Sequence, residues 1–282
     1  MHAEEAPLLL RPAATLGRGI LKTATGLGAF IHFAIATLRG LAHPRAWSRR
    51  DRLFAQLYFV GTTSVPVVCI TGAFIGMVLA IEGYLQFQSV GQETRLGGVI
   101  SLSVVKQIGP VLAAVILAGR VGCSLTAEIG SMRVTEQLDA MRAMASDPVR
   151  VLVVPRVLAC VIMIPPLTML SNVCGVAGGW LICTQLYPTD PSQYWAYSSA
   201  FVNWFDLLNG TTKSVFFGAA IGLIACYKGF TCRPGAEGVG RATTDSFVTA
   251  FMAIIFLNLL LAKILNELDL LRTGGQIESV FA

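Results

Sequence analysis

Residues 107–159 read QIGPVLAAVILAGRVGCSLTAEIGSMRVTEQLDAMRAMASDPVRVLVVPRVLA. One apolar run ends near Gly119, a polar block follows, and a second apolar run opens near Val151. Within the block, Val134, Leu138, Met141 and Ala145 fall on one helical face while Arg133, Glu136, Asp139 and Arg142 occupy the others. That spacing predicts a short amphipathic helix over about 131–145. Gly130 and Ser131 precede it, and Asp147-Pro148 stops it, because the residue before a proline is pushed out of the helical region. Two membrane crossings joined by a projecting helix is the arrangement this stretch describes.

Composition extends the reading to the whole chain. The 282 residues are 54% hydrophobic and 13% charged, with 28 glycines and a mean hydropathy of +0.67. Crossing a hydrocarbon layer about 30 Å thick takes roughly 20 apolar residues. Candidate spans lie at about 54–85, 98–119, 151–186, 207–227 and 246–266. The expected fold is an all-α integral membrane protein of five transmembrane helices. Its segments are an N-terminal stretch (1–53), a membrane domain (54–268) and a tail (269–282).

Residues 16–41 form a further apolar stretch, but only about 16 residues separate Lys22 from Arg39, and basic residues crowd both ends. Both ends then prefer the same side, which predicts a helix lying in the interface or a short helix packed on the bundle. Eight of the 21 lysines and arginines fall in residues 1–53, five in 120–156 and three in 228–241. Those segments are expected on the cytoplasmic side, with the C-terminus outside. The outer segment 187–205 carries three tyrosines, two tryptophans and two phenylalanines and no lysine or arginine, as a chain running along an interface does. The N-terminus lacks the pattern of a cleaved signal peptide. The seven cysteines are an odd number, form no C-x-x-C pair and read as small packing residues.

Catalytic signatures are missing: there is no phosphate-binding G-x-x-x-x-G-K-[ST], no H-E-x-x-H and no G-x-S-x-G, and the histidines (2, 32, 43) all precede the first span. Gly235, Gly238 and Gly240 read as a tight turn between spans four and five. No metal site or cofactor is expected. Within the spans, Lys106 and Lys213 both lie 13 to 14 residues, or ~20 Å, from the inner ends at Gly119 and Tyr227. Each either snorkels to the headgroups or joins a positive pocket for a phosphate headgroup. Pro165-Pro166 is expected to bend or interrupt the third span. Gly72/Gly76, Gly218/Gly222 and Gly175/Gly178/Gly179 allow close helix contact, with no indication of which face meets a second copy.

The stretch from Ala118 to Ala140, AGRVGCSLTAEIGSMRVTEQLDA, together with GAEGVGRATT at 235–244, closely resembles the MlaE/YrbE permease family, over roughly residues 50–265. The resemblance implies the membrane subunit of an ATP-binding-cassette system that moves phospholipid. It implies a homodimer working with a cytoplasmic ATPase chain, an MCE-domain protein outside and an accessory STAS-domain protein. It places the chain in the bacterial inner membrane, serving outer-membrane lipid homeostasis. The coupling helix would be the block 131–145, with Glu128, Arg133, Val134, Glu136, Gln137, Leu138, Asp139, Met141 and Arg142 meeting the ATPase. Val134, Leu138 and Met141 are expected in its cleft, and Glu136 and Arg142 at the rim. Lipid contacts are expected from Glu82, Tyr84, Lys106, Gln107 and Lys213. Relatives usually carry a basic-acidic pair before Leu-Gly-Pro, whereas this chain has Lys106-Gln107 before Ile-Gly-Pro. Glu82 is then a candidate for the missing negative charge, or a solvated helix-end acid.

A self-contained carrier or an intramembrane lipid-modifying enzyme is the competing class. Neither a cluster of nucleophile, base or metal ligands nor an evident inverted repeat supports it. Copurification of an ATPase chain discriminates between the classes.

Overall fold

The computed structural model describes residues 11–41, 50–187 and 189–272; the remainder of the N-terminal segment and the end of the tail lie outside the described residues. The described residues are helical apart from short turns: α1 (Arg11–Leu41), α2 (Arg50–Val60), α3 (Val65–Ser89), α4 (Leu96–Ser103), α5 (Gly109–Leu117), α6 (Cys123–Val134), α7 (Gln137–Ala143), α8 (Val154–Gln185), α9 (Pro191–Phe201), α10 (Trp204–Phe230) and α11 (Ala236–Arg272). Six segments among the described residues are long and apolar enough to cross a membrane: Ala24–Leu41, Leu53–Ser89, Glu93–Val134, Val149–Gln185, Trp204–Phe230 and Ala236–Arg272. Five contain the expected spans. The sixth belongs to α1, which was expected to lie in the interface.

The contacts of α1 run across the bundle end. Phe30 and Phe33 meet Tyr227, Phe33 also meets Phe230 at the end of α10, and Gly40 lies against Val154 at the start of α8. Both partners sit at the end of the bundle that carries α7.

Helix α8 is the axis of the bundle. A Cβ at Gly76 would overlap the carbonyl oxygen of Gly175, one at Gly178 the carbonyl of Ala73, and one at Gly72 would come within 2.5 Å of the Ser171 carbonyl. The α3 and α8 backbones therefore touch. On α10, Gly218 faces Cys160 and Gly222 faces Val157. All three glycine sets thus serve contacts inside one chain, where a missing side chain lets helices approach within a medium that gives no hydrophobic drive. Of the bend or interruption expected at Pro165-Pro166, the interruption does not occur: α8 runs unbroken through both prolines. Buried neighbours Ile164 and Leu167 hold it there despite two missing backbone donors.

The second span is one rod from Leu96 to Val134, with wide π-turns at Val104–Ile108 and Ala118–Gly122. Its 42-residue segment from Glu93 is ~60 Å long, about twice a hydrocarbon core. The helix therefore runs past its last strongly apolar residues as α6, which stays packed on the bundle: Leu125 and Ile129 are fully buried, and Thr126 donates to the Ala225 carbonyl of α10 and lies 2.9 Å from the Ser246 hydroxyl of α11. Gly130 and Ser131, expected before the amphipathic helix, lie inside α6. The break comes at Thr135–Glu136, where Glu136 adopts φ 59°. The amphipathic helix is accordingly shorter than 131–145, ending at Ala143, with Ala145 also left-handed at φ 56°. Ser146 N–H reaches back to Met141 and closes that end. Asp147 then opens the next helix, its Oδ1 accepting from the Val149 N–H.

At the opposite end, the aromatic outer segment folds into α9. Its Asp190 caps the Ser192 N–H, and Tyr194 is fully buried against Gly97. The hydroxyl of Tyr194 donates to the Val176 carbonyl, and Ser101 donates to Ser198. Between spans four and five the turn is closed by Gly235 at φ 93°, whereas Gly238 and Gly240 belong to α11.

Candidate functional site

A polar cluster sits inside the apolar bundle toward the α9 end. It begins with Pro110, which has no N–H and so cannot bond the carbonyl of Lys106 four residues earlier. The chain widens there into the π-turn Val104–Ile108, a form that concentrates at functional sites. The ammonium of Lys213, from α10, donates to the freed Lys106 carbonyl at 3.1 Å and to Gln107 Oε1 at 2.7 Å. Lys213 is 1% exposed. Close approach is possible because Gly210, one turn earlier, faces the Val105 carbonyl and Pro110.

Lys106 turns the other way. Its Nζ lies 3.2 Å from Asp206 Oδ1, with the carboxylate almost wholly buried. Asp206 belongs to the first turn of α10, where it forms a capping box with Asn203: its Oδ2 accepts from the Asn203 N–H at 3.2 Å. One acid thus satisfies a helix start and a lysine from another span. Asp206, Asn209, Lys213 and Ser214 share the buried face of α10, and neither amide atom of Asn209 has a partner.

Gln107 is exposed and faces a cavity of about 550 Å³ whose other walls are Phe251, Met252, Ile255, Phe256, Leu259 and Ala262 of α11, with Asn258 beside them. The Asn258 Oδ1 is buried and has no partner. An apolar trough with polar groups at one place can take an amphipathic molecule along α11 and meet its polar part at Gln107.

The α7 end is built differently. Arg133 and Arg142 both reach Asp139, at 3.3 and 2.9 Å, and all three are substantially exposed. Beneath them Arg156 is 3% exposed and binds Glu128 at 2.6 Å, joining α6 to α8. Leu138, expected to enter a partner's cleft, is instead fully buried with Ile129, Val153, Val157 and Cys226. It is the apolar residue by which so short a helix can be anchored, and it anchors α7 to its own bundle. Val134 and Met141 are half-buried, while Glu136, Gln137, Asp139 and Arg142 are exposed. The prominent apolar side chain left outside is Met144, 72% exposed.

Among the residues expected to meet lipid, Lys106, Gln107 and Lys213 come together. Glu82 is exposed on α3, and Tyr84 is buried and stacked on Tyr187 at 3.7 Å. The negative charge on Lys106 comes from Asp206, which is not among the residues expected to meet lipid. The signal was available: Asn203-x-x-Asp206 marks a helix start, and Asp206 lies seven residues before Lys213, on the same helical face.

Residues 53–264 match the family described as Permease MlaE. A probable ABC transporter permease protein of Rickettsia bellii is 36% identical over 257 residues, covering 91% of this chain and 98% of the relative. A probable ABC transporter permease protein of a Synechocystis strain is 43% identical over 220 residues, 78% of this chain and 83% of the relative. The intermembrane phospholipid transport system permease protein MlaE of Haemophilus influenzae is 39% identical over 214 residues, 76% of this chain and 82% of the relative.

Proposed function

The chain belongs to the MlaE permease family, and from that premise we propose that it is the permease of an ATP-binding-cassette transporter that moves phospholipid. The observation that carries the lipid reading is the charged cluster of Lys106, Asp206 and Lys213 beside an apolar trough. Ionisable groups inside a membrane bundle are costly and mark pathways.

In this reading residues 53–264 form the transport domain, and α7 faces the cytoplasm, where a separate ATPase chain supplies the hydrolysis. The ATPase grips the exposed side of α7 through Glu136, Gln137, Asp139, Arg142 and Met144. The distribution of basic residues supports an inner-membrane orientation with the N-terminus inside and the C-terminus outside. Helix α1 then lies along the cytoplasmic interface. Two copies of the chain, an MCE-domain protein on the outer side and a STAS-domain accessory complete the assembly.

ATP-dependent transfer of a fluorescent phospholipid from proteoliposomes containing the copurified complex tests this. Transfer that needs no nucleotide, from a chain that brings no ATPase with it, would overturn the proposal.

A further inference from the structure

We propose that the trough beside Gln107 selects a diacyl lipid whose head carries one net negative charge, as that of phosphatidylglycerol does. The inference rests on the lipid-transport reading and adds the class of lipid.

Charge comes first. Lys106 and Lys213 bring two ammonium groups and Asp206 one carboxylate, which leaves one positive charge uncompensated in the cluster. Position 107, through which the cluster meets the trough, holds a neutral amide. A head with a single negative charge balances that excess. A zwitterionic head brings an ammonium of its own toward it and gains less, in surroundings where charges are poorly screened.

Hydrogen bonding comes second. Gln107 Oε1 is already used by Lys213, so the part of this amide left to a ligand is its NH₂, a donor suited to a phosphate or ester oxygen. Asn258 also lines the trough, but its Oδ1 is buried out of a ligand's reach, so the polar contact is left to Gln107. The acyl chains lie along Phe251, Ile255, Phe256 and Leu259, whose exposed side chains give the trough its apolar wall.

The test is the lipid retained by the purified complex from membranes of known composition, or after exchange against vesicles of equal phosphatidylglycerol and phosphatidylethanolamine, read by native mass spectrometry. Wild type should enrich phosphatidylglycerol by about tenfold. Gln107→Glu should abolish the enrichment, because the added carboxylate cancels the excess charge. Ala262→Trp, which fills the trough, should lose both lipids. An unchanged lipid ratio in Gln107→Glu, with lipid lost in Ala262→Trp, would overturn the selectivity and leave lipid binding at the trough standing. Retention of lipid by a folded Ala262→Trp protein would overturn both. So would loss of the dimer mass with lipid retained in that variant, since a second copy would then be the occupant.

Discussion

The chain buries a cation at each end of its bundle, and the two are held in different ways. Arg156, at the α7 end, is 3% exposed and meets a carboxylate, Glu128, at 2.6 Å. Lys213, at the α9 end, is 1% exposed and is held by two neutral oxygens, the Lys106 carbonyl and Gln107 Oε1. The acid in that cluster is spent on Lys106. Arg156 therefore has what a buried charge requires for stability, a counter-ion, whereas among the described residues Lys213 has only hydrogen bonds. A buried charge kept without its own counter-ion is a cost to the fold, and such costs are retained where a site needs the charge. The α7 end is fastened, and the cluster end is held ready.

The comparison breaks most plainly at Arg156. Arg156→Ala empties a buried volume and strands the α6–α8 link, which should cost about 3 kcal/mol or more. The expected readout is a large fall in melting temperature in detergent, together with loss of ATPase copurification. A stable Arg156→Ala protein would show that the pair fastens nothing.

Lys213→Met sharpens the contrast. It keeps all but the last atom of the side chain's length and removes the unpaired charge, so relief of desolvation offsets the hydrogen bonds lost, and stability should move by no more than about 1 kcal/mol. Lipid transfer should nevertheless collapse. A fall in melting temperature as large as that of Arg156→Ala would make Lys213 a structural residue and erase the difference between the two ends.

Two smaller effects concern the surroundings of α7. Ala145 holds φ 56°, a conformation glycine adopts without penalty, so Ala145→Gly should raise stability by about 1 kcal/mol at most. A loss would mean that α7 gains more from the Ala145 side chain than its backbone strain costs. Asp139→Asn removes the acid shared by Arg133 and Arg142, but these pairs are exposed and local. The expected change is about 0–1 kcal/mol and should disappear in high salt. A larger, salt-resistant loss would place Asp139 with Arg156 among the fasteners.

Residue chemistry along the chain was enough to reveal the membrane-spanning α-helical class, the five expected spans and the amphipathic element between the second and third. Apolar run length and helical period are local properties, and hydrocarbon admits few backbone arrangements besides helices. Lys106, Gln107 and Lys213 could also be singled out locally, because polar residues stand out against apolar sequence. Folding decided the rest. The partner of Lys106 is an acid 100 residues away, chosen by how α10 docks on the π-turn before Pro110. Leu138 turned inward because α7 is short and needs an anchor, and helical spacing identifies an apolar face without saying what covers it. The glycine pairs found their partners within the chain because α8 runs between α3 and α10. Which helix sits against which, and which charge is left without a counter-ion, depends on contacts between residues far apart in sequence. Only the packed bundle brings those residues within range of one another.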